Sequence, residues 1–171
     1  MKKICVWSPN LTQFKRHFGK YLTRHDVLYE GFSEAQVRHH FEKAVARNRK
    51  HPRKHTPTLF VLDDCIEALQ KCDYLMKFVL LTARKESVNI CLSFHKWSFT
   101  TPLLRQNLSH AILLSSNDLE LRLVAAYLQV DAKELIRVYR ESGAHKRFSF
   151  IYAIFNPASV FLNFSDKKLL S

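Results

Sequence analysis

Short apolar runs alternate with stretches of helical periodicity along this chain, and this alternation limits the folds that it can adopt. Ile4–Trp7, Thr58–Leu62 and Val88–Phe94 are mostly apolar and end in polar residues. Helical patterns occupy the segments between and after them, over Thr12–Leu22, Glu34–Arg49 and Ile66–Leu81. Strands that are apolar on both faces need cover on both faces, which helices provide in parallel sheets. The sequence therefore predicts an α/β fold with a mostly parallel sheet and flanking helices.

The remaining elements are predicted from capping, proline and turn signals. Ser33 and Gln36 have the spacing of a capping box at the start of the helix Glu34–Arg49. In the second half, the patterns predict a short helix over 101–107 begun by Pro102, an apolar strand Ala111–Leu114, and helices over 117–129 and 131–141. Two strand-like runs, 147–155 and 159–164, flank Asn156-Pro157-Ala158 and predict a C-terminal β-hairpin. We expect Ala111–Leu114 to join the parallel sheet.

Two acids, Asp63 and Asp64, directly follow the apolar run Thr58–Leu62. Ligands of parallel sheets lie beyond the carboxyl ends of the strands, so these acids are the first candidates for chemistry. Four apolar residues followed by two acids fit a Walker B arrangement. In that arrangement Asp63 orients a Mg²⁺ ion through its bound water, and Asp64 polarises the attacking water. The alternative is that the acids only end the strand and cap the helix that begins near Ile66.

Three glycines in 171 residues leave no place for a glycine-rich phosphate loop. Gly19-Lys20 is the one Gly-Lys step, but Phe14 stands where a Walker A loop has its first glycine, and Tyr21 stands where it has Ser or Thr. The lysine and backbone of that loop supply much of the positioning and charge stabilisation in phosphoryl transfer. We therefore expect the chain alone neither to bind ATP tightly nor to hydrolyse it.

The net charge of +12 is concentrated in the first third of the chain. Residues 1–58 contain 13 Lys and Arg against 4 Asp and Glu, whereas residues 59–171 contain 14 against 11. A basic segment runs from Arg38 to His55, with a single acid, Glu42, among its cations Arg38, Lys43, Arg47, Arg49, Lys50, Arg53 and Lys54. These residues are candidates for weak contact with the phosphate backbone of double-stranded DNA without sequence preference. The alternative is a solvated helix end that continues into an exposed basic loop.

The four cysteines, Cys5, Cys65, Cys72 and Cys91, lie in or beside apolar runs and not in Cys-x-x-Cys pairs. This pattern is typical of buried thiols in a reducing compartment and favours neither disulfides nor zinc. The basic start is followed by only a few apolar residues before Ser8-Pro9, so neither a signal peptide nor a membrane span is predicted. We expect an intracellular, soluble protein.

Nearly the whole chain resembles the genome-packaging ATPases of poxviruses and other large DNA viruses, which belong to the FtsK/HerA superfamily of P-loop motors. TPTLFVLDDC looks like the family's Walker B strand, and LLTARKESVNICLSF looks like the helix end and strand that follow it. TTPLLRQNLSHAILL resembles the stretch before the last core strand. The ending FSFIYAIFNPASVFLNF resembles the terminal hairpin, and KKICVWSPN resembles the second core strand.

This resemblance implies roles for individual residues and also a missing part. It implies Mg²⁺ and ATP as cofactors, although the family's first strand and Walker A loop would lie before Met1. The γ-phosphate-sensing Gln at the strand end is replaced, and His95 is the nearest polar substitute. Arg105 is the counterpart of an arginine presented to a neighbouring subunit's phosphate or to DNA, or else an ordinary helix-end cation. Asn107 binds DNA or caps a turn.

The resemblance also implies partners and a place of action. They are double-stranded DNA, a homo-oligomeric ring or a partner chain that carries the Walker A half, and a capsid portal or vertex. The chain would be a single, incomplete P-loop ATPase-like domain that acts in the host cytoplasm or nucleus at sites of virion assembly. A sheet without its central strand would have two open edges, so we expect a partner strand, or pairing of Ala111–Leu114 with Val88–Phe94.

Two other functions remain open at this level. The chain could be a non-enzymatic, basic α/β nucleic-acid-binding protein without nucleotide chemistry. Leu119–Arg140 could form a helix-turn-helix, although the link at Val130-Asp131 lacks the usual turn glycine and the two helices more simply pack on the sheet. Trp97 and Phe99, beside Lys96, suggest base stacking, but core cover is the simpler interpretation.

Overall fold

The computed structural model divides the chain into two compact units, residues 1–95 and 96–171, and each is described by itself. The structure describes residues 3–51, 56–72, 74, 82–83, 85–114, 116–143, 150–155, 158–164 and the backbone of 168–170. The prediction of a single, incomplete domain stays a prediction.

The first unit contains a four-stranded parallel sheet in the order β2-β1-β3-β4. Its strands are β1 (Lys3–Ser8), β2 (Val27–Glu30), β3 (Thr58–Leu62) and β4 (Val88–Leu92). The predicted parallel sheet is confirmed, and β1, β3 and β4 match the three apolar runs. The edge strand β2 was not predicted, because its four residues are half-buried or exposed and show no continuous apolar run.

Helices connect the strands of the first sheet, as α/β topology requires. They are Leu11–Phe18, extended by a 3₁₀ turn over Gly19–Tyr21, then Glu34–Lys50, called here the long helix, and Ile66–Gln70. Two details of the predictions are wrong. Within the described residues the Ser33 side chain makes no capping hydrogen bond, and Gln36 instead accepts one from the Trp7 ring nitrogen at 3.2 Å. The helix from Ile66 ends at Gln70, and most of the predicted remainder, 73 and 75–81, lies outside the described residues.

The core of the first unit lies between the sheet and the long helix. Trp7 and Phe60 are fully buried and meet edge to face with ring centres 5.3 Å apart, while Phe41 of the long helix is also buried. Cys5, Cys65 and Cys72 are buried as predicted, but Cys91 is exposed because its side chain lies on the half-covered strand β4. Burial of about 25 cal/mol per Å² of apolar surface makes this cluster the main stabilising contribution.

The second unit contains a separate antiparallel sheet in the order β5-β6-β7-β8. Its strands are β5 (His110–Leu113), β6 (Ile151–Phe155), β7 (Ala158–Leu162) and β8 (Lys168–Leu170). The predicted hairpin β6–β7 is confirmed, with its turn, 156–157, outside the described residues. The prediction that Ala111–Leu114 joins the parallel sheet, by pairing with Val88–Phe94, is wrong. This strand pairs antiparallel with β6, because the hairpin offers its edge in register, His110 opposite Ile154.

Three α-helices of the second unit begin at side-chain caps. Pro102–Asn107, Asp118–Leu128 and Ala132–Glu141 follow Thr101, Asn117 and Asp131, each of which accepts a backbone N–H of the first turn. The last two helices contact each other, and the first of them also contacts β6, which favours packing over a helix-turn-helix reader. Trp97 is buried and stacks on Phe155 at 5.9 Å, so its predicted core role is confirmed, whereas Phe99 is exposed.

Candidate functional site

The carboxyl ends of β1, β3 and β4 bring three polar side chains together. The parallel register places Trp7 beside Leu62, and Leu62 beside Leu92. The next residues, Ser8, Asp63 and Ser93, therefore follow at the same edge of the sheet. Local sequence predicts each strand end, and the register alone decides that these ends are neighbours.

The Asp63 carboxylate accepts a hydrogen bond on each of its oxygens. The Ser8 hydroxyl donates to Oδ2 at 2.8 Å, and the Ser93 hydroxyl donates to Oδ1 at 2.6 Å. The Asp63 backbone N–H also donates to the carbonyl of Trp7 at 2.9 Å. Hydrogen bonds to an ionised acceptor are about twice as strong as neutral ones, so they hold this carboxylate in one orientation. Ser8 was not among the predicted site residues, although its position directly after an apolar strand is a signal that it shares with Asp63.

Asp64 and His95 lie on the exposed side of this edge. Asp64 has a left-handed backbone, φ 48°, and its N–H donates to the Ser93 hydroxyl at 2.9 Å. Its carboxylate lies 3.5 Å from His95 Nε2, and the two side chains are 47% and 82% exposed. A left-handed aspartate is tolerated in turns but is uncommon, and such backbone conformations concentrate at functional sites. The pair can therefore meet a ligand or water without rearranging the core.

Ser8 also connects the acidic edge to the chain that leaves β1. Its hydroxyl accepts the backbone N–H of Asn10 at 3.2 Å, and the Asn10 side chain accepts the N–H of Gln13 at 3.1 Å. Asn10 is thereby the N-cap of the helix Leu11–Phe18. One serine thus joins the orientation of Asp63 to the start of the next helix.

The donor set at this edge fits Mg²⁺ held through water. Mg²⁺ prefers oxygen ligands and retains several waters, and Asp63 with its two serine hydroxyls presents only oxygens. Among the described residues there is no group of three or more His, Cys, Asp or Glu that could hold a metal directly. Cys65 does not alter this set, because burial raises the pKa of its thiol to about 11 and Sγ donates to the Asp63 carbonyl at 3.1 Å.

A phosphate cradle does not fit these residues. The three glycines of the chain, Gly19, Gly31 and Gly143, are far apart in sequence. Gly31 has a left-handed backbone, φ 72°, but its N–H donates to the Ser8 carbonyl at 2.9 Å and is not available to an anion. The residues present thus suit a metal-orienting edge without the loop that binds phosphates.

Arg105 and Asn107 lie in the second unit, on the short helix Pro102–Asn107. The Arg105 guanidinium lies over the Tyr127 ring at 4.8 Å, and its buried Nε has no hydrogen-bond acceptor among the described residues. The Asn107 side chain donates to the Leu103 carbonyl at 2.8 Å, which fits the helix-end alternative. The structure therefore groups Asp63, Asp64 and His95 in one unit and Arg105 with Asn107 in the other.

The predicted basic segment contains cations in three different states. Arg38 pairs with Glu34 at 3.0 Å and Arg49 with Glu86 at 2.9 Å. Lys43 and Lys50 are exposed on the long helix, and Arg53 and Lys54 lie outside the described residues.

Arg47 differs from its neighbours in this segment. It donates from Nη2 to the Thr56 carbonyl at 2.7 Å and to the Thr58 hydroxyl at 2.8 Å. This geometry favours a bracing role for Arg47 between the long helix and β3 over contact with phosphate.

No helix within the described residues is both long and apolar enough to cross a lipid bilayer.

Comparison with solved structures finds similar folds among viral packaging enzymes. B204, the DNA-packaging ATPase from Sulfolobus turreted icosahedral virus, aligns with a TM-score of 0.63 at 16% identity, over 93% of this chain and 80% of that one. The genome-packaging NTPase B204 from Sulfolobus turreted icosahedral virus 2, in complex with ATP-gammaS, aligns with a TM-score of 0.61 at 13% identity, over 93% and 95%. At such identities the likeness concerns the fold. No curated protein sequence matches the chain.

A family model for the poxvirus A32 protein matches residues 14–168, which is most of the chain and includes the long helix, β3 with its two acids, β4 and the C-terminal sheet. The chain therefore belongs to the poxvirus A32 protein family.

Proposed function

We propose that this chain is the distal, Walker B-bearing part of a viral genome-packaging ATPase, a motor that drives double-stranded DNA into capsids. The observation that carries the proposal is the convergence of Asp63, Asp64 and His95 with two serine hydroxyls at the carboxyl edge of a parallel sheet. Membership of the A32 family and the fold shared with packaging NTPases support it.

Each residue at this edge has a distinct part in the proposed chemistry. Ser8 and Ser93 hold the Asp63 carboxylate, so that it orients the water shell of a magnesium ion without having to reorganise. Asp64 stays exposed, where its carboxylate can accept a proton from a water. His95 lies beside it as a polar group that responds to the terminal phosphate. When bound, Mg²⁺ supplies neutralisation of the phosphate charge.

The phosphate cradle is proposed to come from outside these 171 residues, from upstream sequence or from a partner chain. The chain alone should therefore show no magnesium-dependent ATP turnover above background. The decisive measurement is phosphate release by the purified chain, with and without Mg²⁺. Turnover that disappears in Asp64→Asn would show that the chain contains a complete site, and would refute an externally supplied cradle.

The same substitution tests the motor function in an assembly that does turn over ATP, obtained by extending the chain upstream or by co-expressing its neighbouring gene product. We expect Asp64→Asn to abolish turnover and DNA translocation there. Asp118→Asn is the matched control, because Asp118 is an aspartate of similar exposure in the second unit. Equal activity of the two variants would contradict a catalytic role for Asp64.

Arg105 is proposed to act on the nucleotide of a neighbouring subunit in a homo-oligomeric ring. An arginine supplied in this way contributes about 10³–10⁵-fold to turnover in phosphoryl-transfer enzymes. Asp64→Asn and Arg105→Gln subunits should each be inactive alone, and mixing them should restore part of the activity, because some interfaces then combine two intact residues. Absence of any restoration would place Arg105 elsewhere, for example facing DNA.

DNA contact is proposed along the exposed side of the long helix. Lys43, Arg49 and Lys50 present cations there, and Arg53 and Lys54 continue the basic segment in sequence. Replacing Lys43, Arg49 and Lys50 by glutamine should flatten the slope of log affinity for duplex DNA against log salt by about 0.9 for each lost phosphate contact. An unchanged slope would move the contact to another surface.

The same exposed cations support the second candidate, a non-enzymatic nucleic-acid-binding protein. Duplex binding without ATP turnover in any assembly would favour it. A capsid portal or vertex as docking partner follows from the packaging function.

A further inference from the structure

A second basic surface lies on the helix Leu11–Phe18 and the 3₁₀ turn Gly19–Tyr21. From Pro9 to His25 the chain contains Lys15, Arg16, His17, Lys20, Arg24 and His25 and no acidic residue. All six of these basic side chains are exposed, and the helix buries none of its residues. This stretch lies outside the basic segment of residues 38–55.

The cations of this surface are not neutralised by neighbouring acids. Within the described part of the chain, none of its four Lys and Arg residues forms an ion pair, whereas Arg38, Arg49, Arg137 and Arg140 all do. The nearest acid in sequence, Asp26, accepts hydrogen bonds from the backbone of Ile4 and Thr23 and from the Thr23 hydroxyl. The surface therefore has unbalanced positive charge.

Two aromatic rings stand among these cations. The Phe18 and Tyr21 residues are 50% and 67% exposed. Phe14 supports Phe18 from one side with ring centres 4.9 Å apart, and Lys20 Nζ lies 4.9 Å from the centre of the Tyr21 ring. Rings held in this way leave aromatic surface in solvent within reach of bound phosphates.

Cations beside exposed rings match the chemistry of single-stranded nucleic acid. Its phosphates neutralise the cations, and its unpaired bases can stack on the rings. In a duplex each base is already covered by its neighbours, so Phe18 and Tyr21 would gain nothing from it. A membrane surface is less favoured, because only two large side chains of this short element are mostly exposed, and stable anchoring needs more buried apolar area.

We propose that the basic aromatic surface, formed by Lys15, Arg16, Phe18, Lys20 and Tyr21, binds unpaired DNA or RNA strands through phosphate contacts and base stacking. The proposal does not depend on ATP turnover. It assigns this chain a single-strand site distinct from the duplex contact of the long helix.

The test compares the affinity of the purified chain for a labelled oligothymidylate and for a labelled duplex of equal length by fluorescence anisotropy. Wild type should bind the single strand more tightly. The double variant Phe18→Leu, Tyr21→Leu keeps apolar bulk but removes both rings, and should lose about fivefold or more in single-strand affinity, the effect of at least one stacked base. Its duplex affinity and melting temperature should not change.

A charge variant and an aromatic control complete the experiment. Lys15→Gln with Lys20→Gln should weaken single-strand binding and reduce its salt slope by about 1.4, from about 0.7 per lost phosphate contact. Phe164→Leu removes an equally exposed ring from the second unit and should leave affinity unchanged. The proposal is overturned if the Phe18 and Tyr21 variant binds the oligothymidylate as wild type does, or if wild type binds phosphatidylserine vesicles and not the oligothymidylate.

Discussion

Arg47 and Arg49, near the end of the long helix, should respond very differently to the same substitution. Arg47 donates two hydrogen bonds to the segment that enters β3, one of them to the buried Thr58. Arg49 holds Glu86 at 2.9 Å with 73% of its side chain exposed. We expect Arg47→Met to destabilise the first unit and Arg49→Met to leave its stability almost unchanged.

The size of the effect follows from the bonds that are lost. A hydrogen bond from a charged donor contributes about 1.5–3 kcal/mol, so the two bonds of Arg47 contribute about 3–6 kcal/mol. Its buried Nε, which has no acceptor among the described residues, offsets about 1–3 kcal/mol of this. The net cost of Arg47→Met is then about 2–3 kcal/mol. The exposed ion pair of Arg49 contributes about 0–1 kcal/mol.

Urea and thermal unfolding followed by circular dichroism measure this difference. In a protein of this length about 1 kcal/mol shifts the melting temperature by about 2–4 °C, so Arg47→Met should melt about 4–12 °C below wild type. At a temperature where all variants are folded, only Arg49→Met should change the salt dependence of duplex binding. Two variants within about 0.5 kcal/mol of each other would refute the bracing role and return Arg47 to the candidate DNA contacts.

Three further outcomes are expected. His40 contacts Tyr29 Oη at 2.8 Å and Lys3 Nζ at 3.2 Å, and burial, with Lys3 second, lowers its pKa to about 4. The unfolded chain therefore takes up a proton that the folded chain does not, so this contribution is complete above pH 6.5 and about 3 kcal/mol is lost as the pH falls to about 4; unfolding midpoints of His40→Phe across this range should show a flatter decline than wild type. Cys91 should react first with an aromatic disulfide reagent in the folded protein, and a fast phase that survives in Cys91→Ser would contradict its exposure. Asp131→Ala should destabilise the second unit by about 1 kcal/mol, because Asp131 caps its helix at 2.8 Å, whereas Ser33→Ala should cost less than about 0.5 kcal/mol; equal losses in denaturant titrations would reverse this assignment.

Elements whose signal is local could be predicted from the sequence. The apolar run Thr58–Leu62 becomes β3, and the long helix begins at Glu34 as its periodicity indicates. Both follow from side-chain burial at fixed spacing, which any short window of sequence contains. The carboxyl end of β3, with Asp63 and Asp64, was identified for the same reason.

Features that depend on pairing between distant segments were decided by the tertiary structure. The strand His110–Leu113 has the same apolar character as the strands of the first sheet, yet it pairs with β6 because strand composition does not specify the partner. The second hydroxyl on Asp63 comes from Ser8, far away in sequence, since only the parallel register brings the ends of β1 and β3 together. Arg47 has the same sequence signal as its basic neighbours, and only its two threonine partners give it a separate role. The sequence by itself determined which segments form strands and helices and where the acidic edge lies, because those depend on local burial patterns. The tertiary structure decided which strand ends share that edge and which cations remain exposed, because both depend on contacts between residues far apart in the chain.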